Sequence, residues 1–145
     1  MSPDQLFAIV NALALACWIL LVVLPRHRWV HLTIASMIVP VGLALIYSLL
    51  IVWKFWSAPG GFSTLDEVAL LFGNKWLLLA GWIHYLAFDL LVGSWEVRDS
   101  RERGIPPVLM APILVLTFLF GPAGWLIYMV VRSAPIRSTA RTVRA

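Results

Sequence analysis

Few side chains in this sequence could do chemistry, and most of them crowd into one apolar stretch. His84, Tyr85 and Asp89 lie inside the run from Trp76 to Trp95, and Glu96 follows directly. An ionisable group in hydrocarbon is costly, near ~3 kcal/mol for Asp at a helix centre, so it needs a partner or a wet cavity to remain there. On a helix, Gly81, Tyr85, Asp89, Val92 and Glu96 share a stripe, which sets the Tyr85 hydroxyl one turn from the Asp89 carboxyl. Glu96 falls two turns the other way, near the interface. His84 is offset from Asp89 by about 140° around the helix, so the two converge only on something held between helices. An Asp89 kept protonated by its surroundings suits a general acid. The plainer alternative is that Asp89 and His84 pair with Ser36, Tyr47 or Thr117 and lock the helices together.

Other constellations carry less. His27 and His31 are spaced for a metal, but they sit among arginines at a helix start, and haem between either of them and His84 requires matching depth. No metal or other cofactor is expected. One cysteine, Cys17, excludes an intrachain disulfide and an all-thiolate site. No Ser-His-Asp order, P-loop, Gly-x-Gly-x-x-Gly, CxxC or His-Glu-x-x-His is present.

The elements that must position these residues follow from composition. The chain has 145 residues, 61% hydrophobic and 12% charged, and its mean hydropathy is +0.91. That excludes a water-soluble globular domain and predicts an all-α integral membrane protein. The eleven Lys and Arg, giving a net charge of +4, lie between or beyond the apolar runs, so the basic balance reads as topology and headgroup contact, with no nucleic-acid partner. Four spans are predicted, at about residues 6–24, 32–53, 76–95 and 108–131, forming a four-transmembrane-helix bundle. Ser63 with Asp66 and Thr64 with Glu67 have capping-box spacing, which opens a short amphipathic interfacial helix over about 63–72 between spans two and three. Gly121-Pro122-Ala123-Gly124 is expected to kink span four and shape an apolar slot, because Pro122 cannot donate to the carbonyl near Phe118. Residues 132–145 read as a basic flexible tail after the 1–131 membrane domain.

With four straight spans, Arg26, Arg28, Arg98, Arg101 and Arg103 gather on one side, and Lys54, Lys75, Arg132, Arg137, Arg141 and Arg144 on the other. Weighting the short loops favours the N-terminus outside.

The run from Trp82 to Gly93, the acidic-basic loop after it, the proline-containing start of span four and the stretch Phe118 to Gly124 together resemble the small four-span family named for plant abscisic acid deficiency, a neoxanthin synthase-like family. The likeness covers about the whole chain. It implies a carotenoid role, the opening of a xanthophyll 5,6-epoxide to an allenic alcohol, an isomerisation without redox change. On that reading Asp89 is the acid, His84 the base and Tyr85 the support of Asp89, while Gly81, Trp82, Phe88, Gly121, Pro122 and Gly124 contact the polyene. The expected partners are the bilayer and a carotenoid or other isoprenoid lipid. Two other readings stay open, a non-catalytic carotenoid-binding or assembly protein and a structural or transport subunit, the last requiring a homo-oligomer or other membrane subunits. The chain starts almost directly at its first span, without an Arg- and Ser-rich transit segment, so a bacterial inner or cyanobacterial membrane is expected.

Overall fold

In the computed structural model, which describes residues 1–34 and 37–134 without the side chains of residues 31–33, the chain is all-helical. Helix α1 spans Pro3–Val23, opened by a capping box in which Ser2 and Gln5 bond each other's backbone N–H, at 3.2 and 2.8 Å. A short α2, Arg28–Thr33, leads into α3, Ile38–Lys54. The second predicted span was one run over 32–53; the chain breaks it at Met37, whose φ of 72° no α-helix continues through. A 3-10 turn, Phe55–Ser57, then leads to α4, Leu65–Phe72, the expected interfacial helix. Thr64 caps it by accepting from the Glu67 N–H at 3.2 Å, and Glu67 reaches back to the Ser63 N–H at 3.1 Å.

The centre of the protein is α5, Lys75–Glu102, which α1, α3 and α4 all touch. Helix α1 runs parallel to it. Asp4 faces Lys75 at 4.0 Å, and farther along Trp18 lies against Gly93, where a Cβ would strike its ring. Helix α3 runs antiparallel, with Trp53 against Trp76 at one end, ring centroids 5.2 Å apart, and the Ile34 carbonyl accepting from Ser94 at the other, 3.0 Å. Among the described residues, three helical stretches, Pro3–Val23, Ile38–Ser57 and Lys75–Glu102, are long and apolar enough to cross a membrane. The 28 residues of α5 measure ~42 Å against ~30 Å of hydrocarbon, so its last two turns project.

The fourth apolar stretch departs from expectation. It forms α6, Pro107–Phe120, and α7, Pro122–Ser133, folded back on each other as a helical hairpin. Gly121 turns the chain with φ of 38° and ψ of −96°. Pro122 has no N–H to extend α6, and Gly124 lacks the side chain that would hold α7 off, so Thr117 packs directly on its backbone. Residues 117 and 124 of a straight helix lie ~10 Å apart, so this contact requires a reversal. Helix α7 accordingly returns along α5, with the Tyr128 ring 5.4 Å from that of Trp95 and Arg132 bonded to Asp99 at 2.8 Å. The predicted single span over 108–131 is therefore replaced by two half-length helices that begin and end at the same end of α5.

This reversal also redistributes charge. One end of the bundle, the lysine end, carries Lys54 and Lys75; the other, the arginine end, carries Arg26, Arg28, Arg98, Arg101, Arg103 and now Arg132. Arg137, Arg141 and Arg144, with the rest of the expected tail from 135 onward, lie outside the described residues.

Candidate functional site

Three acidic residues of α5 hold the hairpin, each at a different level. At the arginine end Asp99 accepts from Tyr128 at 2.6 Å, Arg103 at 2.7 Å and Arg132 at 2.8 Å. One level deeper, Glu96 is fully enclosed, and both its oxygens lie within 3.2 Å of the Thr117 hydroxyl, which is also 3.1 Å from the Ile113 carbonyl. Deepest is Asp89, 8% exposed, against the turn itself: a Cβ on Gly121 would come within 2.8 Å of Asp89 Oδ1.

Asp89 differs from the other two in having only the Tyr85 hydroxyl beside its carboxyl. Its Oδ2 is buried without a hydrogen bond, although buried carboxyl oxygens are almost always satisfied. Beside it opens a groove of about 340 Å³ lined by Phe88, Asp89, Val92, Gly121, Pro122 and Trp125. The wall is apolar and Asp89 is its one titratable residue, the composition of a seat for an apolar molecule with a single polar point.

Tyr85 is tied to the same turn. Its hydroxyl, a neighbour of the Asp89 carboxyl, donates to the Phe118 carbonyl at 3.2 Å. That carbonyl is the one left without an N–H by Pro122, four residues on. The tyrosine thus satisfies the orphan that the hairpin creates, in a setting where water is scarce. Replacing it (Tyr85→Phe) is expected to cost about 1 kcal/mol of stability with the fold retained, read as a lowered Tm in detergent. An unchanged Tm means that the carbonyl has another donor.

The remaining predicted residues are dispersed. His84 is exposed on the outer surface of α5, its ring 5.3 Å from that of Tyr47 and 4.6 Å from that of Phe88, so Phe88 stands between it and the groove. Phe88, Gly121 and Pro122 line the groove. Gly81, Trp82 and Gly124 do not. Gly81 makes room for the Phe72 ring of α4, Gly124 for Thr117, and Trp82 donates to Asn11 Oδ1 across the α1 interface at 2.7 Å. Of the pairings in the plainer alternative, Tyr47 meets His84 and Thr117 takes Glu96 instead of Asp89; Ser36 lies outside the described residues. His27 caps α2 at the arginine end, its Nδ1 accepting from Trp29 N–H at 3.4 Å, far in depth from His84; the His31 side chain is outside the described residues.

Two features escaped sequence reasoning. Trp125 completes the groove because α7 returns, and nothing local announces that. The enclosure of Glu96 is long-range as well, since the hydroxyl that meets it, that of Thr117, comes from α6.

A family model described as ABA4-like, ABA DEFICIENT 4-like, matches residues 5–128 of the chain. No curated protein and no solved structure matches it.

Proposed function

Because the chain belongs to the ABA DEFICIENT 4-like family, which is linked to carotenoid and xanthophyll function, we propose that it is an intramembrane isomerase that opens a xanthophyll 5,6-epoxide to an allenic alcohol. The observation that carries this reading is the buried carboxyl of Asp89 at the hairpin turn, one oxygen without a hydrogen bond, in the wall of an apolar groove. The groove suits an end ring, and the chemistry needs one proton delivered and one removed.

Both transfers fall to Asp89. One carboxyl oxygen gives its proton to the epoxide oxygen as the carbon–oxygen bond breaks. The other takes the hydrogen of the neighbouring vinylic carbon as that electron pair becomes the new double bond of the allene. Atoms balance, nothing is oxidised or reduced, and the carboxyl ends protonated as it began. A carboxyl with one oxygen packed on Gly121 and the other without a hydrogen bond is suited to such an exchange. His84, behind Phe88, has no part in it. The test is the pigment profile of a host that makes epoxy-xanthophylls, with and without the protein. A new isomer of unchanged mass supports the reading, and an unchanged profile with pigment retained on the purified protein replaces it with carotenoid binding.

The orientation belongs to the same proposal. Six arginines at one end against two lysines at the other, among the described residues, set the arginine end in the cytoplasm and the N-terminus outside. In a Cys17→Ser background, Ser63→Cys is expected to react with an impermeant maleimide on intact cells, and Ser133→Cys only after permeabilisation. Labelling of both on intact cells is the result of four straight spans and would overturn the hairpin topology.

A further inference from the structure

We infer that a second lipid seat lies between α1 and α5 on the lysine-end side of the hairpin, and that it takes an isoprenoid bearing a ring oxygen, hydrogen-bonded by the Asn11 amide. The inference shares its ligand class with the proposed function and deepens it, but it rests on different residues.

The Trp82 indole can only donate, so the side-chain group of Asn11 that faces it at 2.7 Å must be the carbonyl oxygen. The amide NH2 is thereby turned away, and among the described residues it has no acceptor. Asn11 forms part of the wall of a cavity of about 330 Å³, together with Trp82, Tyr85 and Phe118. A second cavity, of about 320 Å³, shares Trp82 and carries the lane on to Asp4 and Lys75. Because the hairpin turns back at the level of Asp89, it does not extend over this half of α5.

Depth selects the occupant. Asn11 is five residues past Leu6, where the apolar run of α1 begins, so it lies ~8 Å into a hydrocarbon layer ~30 Å thick. Phospholipid ester groups stay at the interface, and their acyl chains offer no acceptor at that depth. An unsatisfied N–H there costs several kcal/mol, and water is absent to meet it. A lipid whose oxygen sits on an otherwise apolar ring can carry an acceptor that deep. The aromatic walls, Phe7, Trp82 and Phe118, favour a flat conjugated molecule over a flexible chain.

The experiment compares two probes of one shape in lipid nanodiscs holding the full chain: canthaxanthin, with a ketone on each ring, and β-carotene, the hydrocarbon. The wild type is expected to bind canthaxanthin about tenfold more tightly, the yield of one hydrogen bond in this medium. Asn11→Leu should bring the two within about twofold, and Asn11→Gln, which keeps the amide, should restore a preference. Equal binding to the wild type overturns the inference, as does a preference that survives Asn11→Leu. So does like behaviour of the Leu and Gln variants, which would trace the effect to packing against Trp82. Since the readout is binding, absence of isomerase chemistry at Asp89 leaves the result intact.

Discussion

Asp89→Asn is expected to abolish formation of the allenic isomer, a loss of ~10²-fold or more, while the protein accumulates and melts as the wild type does. Asparagine has nearly the size and shape of the acid, so the Gly121 turn that packs on it is preserved. What disappears is the transferable proton and, with it, the oxygen able to take one back. The substitution also removes a carboxyl from an apolar wall, where Oδ2 has no partner, so stability should hold or rise slightly. Chromatography with mass spectrometry of extracted pigments gives the answer. A variant that converts as the wild type does would return Asp89 to the plain role of a packing residue at the hairpin turn.

Gly124→Ala should have the largest effect on the fold. A Cβ at this position runs into the backbone N, Cα and hydroxyl of Thr117, and backbone cannot move aside as a flexible side-chain end can. Overpacking typically costs 1–3 kcal/mol, and a collision with backbone belongs at ~3 kcal/mol or beyond. The damage reaches further than one contact, because Thr117 is the partner of Glu96 and the Gly121 turn sits on Asp89. A Thr117 pushed off Gly124 is also displaced from the Glu96 carboxyl that its hydroxyl satisfies, so the Tm in detergent should fall sharply, with conversion lost too. Gly42→Ala provides the contrast. Nothing lies within 4 Å of a Cβ there, so a change within about 0.5 kcal/mol is expected. Comparable Tm values for the two variants would mean that the hairpin contact is not tight.

Gly93 shows the same logic on the opposite flank, where the absence of a side chain admits the Trp18 ring and brings α1 close to α5. These three glycines therefore work at two kinds of place, chain reversal at Gly121 and close approach at Gly93 and Gly124. Neither kind is separable from the other in a run of apolar residues read by composition. Gly81 illustrates the cost: as one of the stripe with Asp89 it looks like part of the slot, yet its open side receives Phe72 from α4.

The positions of His84 and Glu96 teach a related point. Angular arithmetic correctly separates His84 from Asp89 on α5, but the neighbour that fills the angle between them is long-range. The hairpin takes the Asp89 side, α3 approaches the His84 side, and Phe88 divides the two. Glu96 reads as interfacial because it follows the apolar run, and it is enclosed, with the Thr117 hydroxyl of α6 against its carboxyl.

By itself the sequence determined the apolar, all-helical character, long apolar helices at three of the four predicted spans, a capped short helix before the third, the family and the isolation of Asp89 within an apolar run. These are local quantities: hydropathy sums over about twenty neighbours, and a cap forms between residues three apart. Tertiary structure decided the direction of the last apolar stretch, and with it the side on which Arg132 lies and the groove beside Asp89; it also decided the enclosure of Glu96, which α6 meets through Thr117. A run of apolar residues has the same hydropathy straight or folded in half. Only the meeting of Gly124 with Thr117, and of Tyr128 and Arg132 with Asp99, distinguishes the two.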